Sequence, residues 1–292
     1  TKSDNKVQIK IYLYLVLGVC YFLGITAYFT QASNGSIAYQ ILQKGFTAFP
    51  VMSAIMTRRI TKDKTKWRCS IKVWKKPMLW FFCAFVPSIL IVIGAALYFM
   101  IFPKQYSGLL DIGSLLGKDY AITINSPFRF GIVCVLIAAL CIPLQLLELG
   151  EEIGWREYLL PKQIAVYGMR KGVLLNGFYW GVAHLPLIFF GFNYSSENTG
   201  APWSNMFMMM VVCMTLGIIC AYVMVISNNA MYCAIIHGAV NVIGEIPVLI
   251  SVSHKSGLLG PNPTGLLGMS GLLVCAIIMF IRLPKLKTAM EI

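Results

Sequence analysis

Four carboxylates and an arginine stand together between Leu147 and Glu157, directly after a long apolar run. They are Glu148, Glu151, Glu152, Glu157 and Arg156. The whole chain has 11 Asp and Glu, so this segment holds four of them. A carboxylate beside apolar surface is costly unless it is paired or hydrated, so these groups demand polar neighbours. On helical spacing Glu148, Glu152 and Arg156 form an i, i+4, i+8 stripe. Glu151 is turned about 100° from Glu152. One carboxylate can then pair with Arg156 while the other faces elsewhere. Two carboxylates this close do not both ionise readily without such a cation, and an acid so placed suits general-base work near neutral pH. The bland alternative is an interfacial Glu–Arg ladder that only ends a helix.

The chain has three histidines. His254 falls in a polar loop, but His184 and His237 lie within apolar runs. His237 and Asn241 are four residues apart and share a helix face, which Glu245 extends by a turn. One membrane histidine often does no more than hydrogen-bond across helices. Two of them, with an Asn at i+4 and a Glu pair, point to a shared functional site.

A membrane bundle must position these groups. Of 292 residues, 58% are hydrophobic and 12% charged, about half the charged fraction of a soluble domain. Eight apolar stretches suit transmembrane helices of roughly 20 residues. They cover 9–30, 37–56, 78–102, 128 into the acidic segment, 172–190, 205–226, 230–250 and 264–281. The second is the weakest, with Pro50 inside it. The expected fold class is all-α, a polytopic membrane helix bundle with a polar cavity open towards the cytoplasm. Residues 1–127 would form three N-terminal helices with a basic loop at 58–76. Residues 128–250 would form the core that carries the chemistry, and 251–292 a last helix and basic tail.

The net charge of +13 is concentrated. The N-terminal stretch, 58–76, 161–171 and the tail together hold 18 Lys and Arg, nine of them within 58–76. The alternate loops hold only Lys104, Lys118, Arg129 and Lys255. The positive-inside rule puts the basic loops and both termini in the cytoplasm. The charge then reads as topology and contact with the anionic lipid bilayer, with no nucleic acid partner. Nine cysteines lie mostly in apolar runs without C-x-x-C spacing and read as core hydrophobes. The first apolar run lacks a small-residue cleavage site, so it reads as a span rather than a signal peptide. Asn34 and Asn193 open glycosylation-type triplets on the opposite side.

The order Glu151-Glu152 with Arg156, then Trp180 and His184, then His237 and Asn241, resembles the CPBP family of intramembrane endopeptidases. This family comprises CAAX proteases and bacteriocin-processing enzymes and is also called Abi; its best-known member is the Ras-converting CAAX endopeptidase. The resemblance covers about 128–250 and the eight-span outline. Trp180 stands where the family more often has Phe. The resemblance implies a protease that hydrolyses a peptide bond of a membrane-associated peptide or protein, such as a prenylated CAAX protein or a bacteriocin or pheromone precursor. By analogy Glu151 would activate water with His184, His237 and Asn241 would stabilise the oxyanion, and Glu152 and Arg156 would support them. No cofactor is expected. Zinc held by Glu151, His184 and His237 is the alternative mechanism. Two other functions compete: a non-catalytic bacteriocin-immunity or scaffold protein of the same fold, and a proton-coupled transporter. An intact acid and histidine set argues against the first. Clustering at one end, without paired broken helices, argues against the second.

Overall fold

The computed structural model describes residues 1–30, 37–111, 121–124, 126–140, 144–253 and 255–283. His254 and Asn34 lie outside the described residues. Among the described residues, four helices lead to the acidic segment: α1 (Lys2–Phe29), α2 (Ile37–Thr61), α3 (Pro77–Ile101) and α4 (Pro127–Leu140). That segment starts as a 3₁₀ turn (Leu144–Glu148) and becomes the short helix α5 (Leu149–Glu152). It then widens into a π-helix (Ile153–Leu159) and closes as α6 (Leu160–Tyr167). Four helices and a short one complete the fold: α7 (Met169–Phe189), α8 (Trp203–Ser227), α9 (Ala230–Gly244), the four-residue α10 (Ile246–Leu249) and α11 (Ser270–Arg282).

Among the described residues, five helical stretches are long and apolar enough to cross a membrane: α1, α3, α7, α8, and α9 continued through α10. A chain with five such stretches is an integral multi-pass membrane protein. The expected fourth and eighth spans are shorter than anticipated. Helix α4 has 14 residues and α11 has 13, about 20 Å each at ~1.5 Å per residue against a hydrocarbon core of about 30 Å. The late start of α11 has a packing cause. The chain from Gly260 to Gly268 folds tightly against α3, and a Cβ on Gly94 of α3 would sit 2.0 Å from the Gly268 carbonyl oxygen. Residues 264–269 serve this contact instead of extending the helix.

Helix α9 is buried on nearly every side, from Ala230 to Val240 and again at Ile243, as its all-round apolar sequence requires. Small residues let neighbours approach closely, the usual means of helix association where lipid removes the hydrophobic drive. Gly177 of α7 and Gly217 of α8 face each other, and a Cβ on Gly217 would lie 3.0 Å from the Gly177 Cα. The turn between α8 and α9 follows from two asparagines. Asn228 adopts φ 54°, the left-handed cap that ends α8, and the Asn229 side chain accepts from the Met231 N–H to start α9.

Polar loops gather at two ends. At one, the chain after α2 meets the α8–α9 turn. Ser70 N–H donates to Asn229 Oδ1 at 2.9 Å, Asn229 Nδ2 donates back to the Ser70 carbonyl at 2.9 Å, and Ala230 N–H donates to the Arg68 carbonyl. At the other, Leu109–Asp111 and Ala121–Thr123 pair as a two-stranded antiparallel ribbon, β1 and β2. Tyr106 bridges to Ser251 there, and Tyr194 donates its hydroxyl to the Thr264 carbonyl.

Candidate active site

Glu151 and Glu152 are held between two glycines. A Cβ on Gly150 would lie 2.6 Å from the Thr47 carbonyl oxygen, and one on Gly154 would lie 2.5 Å from the Pro50 carbonyl carbon. The acidic segment therefore lies directly on the α2 backbone, at the point where Pro50 interrupts that helix's hydrogen bonding. The π-helix begins at Ile153, immediately after the glutamates. Such widened turns recur at functional sites because they re-aim side chains without breaking the helix.

Three elements bring the charged groups together. From the acidic segment, Arg156 Nη1 donates to Glu152 Oε1 at 3.0 Å, with both side chains fully buried. From α9, His237 Nδ1 lies 3.0 Å from the same Glu152 oxygen. A carboxylate oxygen accepts, so the imidazole proton sits on Nδ1 and Nε2 is the nitrogen left for a substrate or water. From α7, Trp180 donates its indole N–H to Glu151 Oε1. The Trp180 ring also lies under the Arg156 guanidinium, 4.0 Å from Cζ to centroid, a cation–π contact. Its centroid is 5.1 Å from that of His237 and 5.7 Å from that of His184, both edge-on. Trp180 thus touches Glu151, Arg156, His184 and His237.

His184 sits one turn beyond Trp180, and its Nδ1 lies 2.9 Å from the Trp180 carbonyl oxygen. That bond again places the proton on Nδ1 and leaves Nε2 for chemistry. Five of the expected residues, Glu151, Glu152, Arg156, His184 and His237, therefore share one cluster. The sixth, Asn241, is one turn along α9 from His237 and exposed; no described hydrogen bond ties it to the others. Glu245 is exposed at the end of the same helix.

Glu148 joins the cluster although sequence spacing gave it no role of its own. Ligand atoms of Glu148, Glu151 and His237 lie within 4.8 Å of one another. This set suits a divalent cation: two carboxylate oxygens and an imidazole nitrogen are a common donor combination. It differs from the Glu151, His184 and His237 set that a zinc mechanism would have used, since His184 is not part of it.

Two further polar residues frame the site. Asn176 is fully buried, one turn before Trp180. Its Nδ2 donates to the Trp155 carbonyl at 2.9 Å and to Gln163 Oε1 at 3.0 Å, locking α7 to the π-helix and to α6. Glu157 is 5% exposed, and its Oε1 accepts from the Arg68 N–H at 3.0 Å, tying the π-helix to the loop after α2. Asn176 and Gln163 carried a signal in the sequence, as uncharged amides at helix positions that pack inward, but no spacing linked them to each other.

No curated protein matches the chain. The model of the family described as type II CAAX prenyl endopeptidase Rce1-like matches residues 127–243. That interval contains every member of the cluster, and it is a domain of the Rce1-like type II CAAX prenyl endopeptidase family.

Proposed function

We propose that this chain is an intramembrane endopeptidase that hydrolyses a peptide bond near the end of a membrane-anchored polypeptide, with a CAAX-type substrate as the leading class. The observation that carries this reading is the differing surroundings of the adjacent glutamates. Glu152 is 0% exposed and committed to Arg156 and His237, whereas Glu151 is 5% exposed and takes one indole N–H on one oxygen. This supports Glu151 as the residue that meets water and Glu152 as the fixed anion that orients His237. Half-buried Glu148 and His184 and exposed Asn241 mark the side from which water and substrate arrive, towards the cytoplasm on the charge distribution of the loops.

In this mechanism Glu151 removes a proton from water as the water oxygen attacks the scissile carbonyl carbon. His237 takes part as the imidazolium, donating Nδ1–H to Glu152 and Nε2–H to the oxyanion of the tetrahedral intermediate, with Asn241 as the second donor. His184 is the second imidazole at the water. The proton on Glu151 passes to the departing nitrogen as the C–N bond breaks, releasing an amine and a carboxylate. If the site takes a divalent cation, Glu148, Glu151 and His237 would hold it, and it would supply Lewis-acid polarisation of the carbonyl or the water.

The test is cleavage of a quenched, membrane-anchored peptide by purified wild type and Glu151→Ala, each with and without chelator. The expected result is cleavage by the wild type alone, unaffected by chelator. Cleavage by Glu151→Ala at the wild-type rate removes Glu151 as the base. Loss on chelation with recovery on added zinc replaces the metal-free mechanism.

A further inference from the structure

A second feature lies beside the cluster but outside it. The C-terminal half of α2, the loop that follows it and the start of the π-helix enclose a groove of about 450 Å³. Val51, Ile55 and Ile153 form its apolar wall, Trp67 stands on the loop side, and Arg58 and Arg59 complete the lining. The Arg58 guanidinium lies 4.0 Å over the Trp67 ring. Among the described residues neither arginine forms an ion pair. The acids on the neighbouring elements are engaged elsewhere: Asp63 with Lys162 at 2.8 Å, and Glu157 with the Arg68 N–H. Two guanidinium groups thus border an apolar channel, and among the described residues no carboxylate lies within ion-pair distance of either. The same stretch of α2 leaves Met52, Ile55, Met56 and Ile60 exposed, a strip suited to acyl chains.

We infer that this groove is a binding site for one anionic phospholipid. The phosphate sits between Arg58 and Arg59, and an acyl chain runs along Val51, Ile55 and Ile153. The charge and shape fit an amphiphile with its anionic group at one end. Guanidinium forks match phosphate oxygens, and basic pockets between membrane helices take anionic headgroups. Trp67 fits the headgroup level, where indole rings concentrate. The position also matters, since Ile153 follows Glu152 directly and begins the π-helix. A lipid in this groove braces the segment that carries the glutamates. The inference does not depend on what reaction the cluster performs.

The test uses the full chain in nanodiscs of phosphatidylcholine containing a minor fraction of phosphatidylglycerol, with retained lipid counted by native mass spectrometry. Wild type should retain one phosphatidylglycerol. Retention by R58Q/R59Q should weaken about thirtyfold, the combined effect of two charges. K64Q/K66Q removes the same charge from the loop that follows α2, at residues that do not line the groove, and should retain the lipid. Ile55→Trp keeps both arginines but fills the channel and should also lose it. Equal loss in the two charge variants overturns the proposal, because a diffuse basic surface then explains the binding. No retained acidic lipid in the wild type, or displacement by inorganic phosphate alone, overturns it as well.

Discussion

Glu151 and Glu152 are neighbours in the chain with opposite surroundings, and substitution should separate them. Glu152→Gln leaves the fully buried Arg156 without its anion and removes the acceptor that charges the His237 contact. An uncompensated buried charge costs about 3 kcal/mol or more. Glu151→Gln keeps an oxygen for the Trp180 N–H and leaves no cation stranded. Glu151→Gln should therefore lose about 10²–10⁴ in cleavage rate while keeping the wild-type unfolding temperature in detergent. Glu152→Gln should lose both activity and thermal stability. If both variants melt like the wild type, Arg156 is not balanced by Glu152 in the way the geometry requires. The partner residues were legible in the sequence because charged and imidazole side chains are rare in apolar helices. Glu148 and Glu151 are three apart, and residues at i+3 neighbour one another on a helix just as those at i+4 do; a stripe counted only at i+4 links Glu148 to Glu152 and passes over its approach to Glu151 and His237. The Trp180 N–H bond to Glu151 depends on how α7 is rotated, which no spacing in the sequence reports.

At the scale of elements, the acidic segment owes its place to backbone contact with α2. Gly154→Ala puts a methyl group where the Pro50 backbone and Cβ already lie, 2.5 Å from each. The two elements must move apart, at about 1–3 kcal/mol, and the glutamates move with them. Gly18→Ala in α1 is the control, since nothing lies within 4 Å of its added Cβ. It should be neutral or gain up to about 1 kcal/mol of helix stability. A Gly154→Ala protein with normal stability and activity would mean that α2 does not seat the segment.

A second clamp lies outside the spans. Asp63, just past α2, accepts from Lys162 of α6 at 2.8 Å and from the Thr65 N–H. Burial raises the Asp63 carboxyl, but the bonds from Lys162 and Thr65 outweigh it and hold the group at about 2, below its usual 3.8. A lowered folded-state value means that the carboxylate stabilises fully above about pH 4, and that this contribution fades as pH falls from there towards 2. Asp63→Asn should cost about 1 kcal/mol at pH 6, after allowing for screening by solvent. The deficit should shrink on acidification towards pH 3. A deficit of the same size at both pH values would assign the loss to packing instead of charge.

For the molecule as a whole, the alternation of basic and non-basic loops corresponds to physical contact between loops that the sequence puts on one side. The basic stretch after α2 hydrogen-bonds the α8–α9 turn, while Lys76 Nζ reaches the Ile226 carbonyl. At the other end the loop after α7 meets the loop before α11 through Ser195 with Ser256 and Lys255 with Glu197. What the sequence could not convey was the length of each element. Apolar composition marked 264–281 as a span, but close glycine contacts with α3 hold its first residues in turns, and β1 and β2 came from a loop with no strand pattern. The pairing of loops nevertheless gives a direct test of orientation. Lys64 and Thr199 are exposed, one at each polar end. If the nine basic residues between 58 and 76 are retained in the cytoplasm, Thr199→Cys should react with a membrane-impermeant maleimide on intact cells, in a background carrying Cys69→Ser. Lys64→Cys should react only after the membrane is opened. The reverse pattern would put the Glu151 cluster's open side away from the cytoplasm. Labelling of both from outside would rule out that Lys64 and Thr199 lie on opposite sides of the bilayer, whatever chemistry the cluster performs.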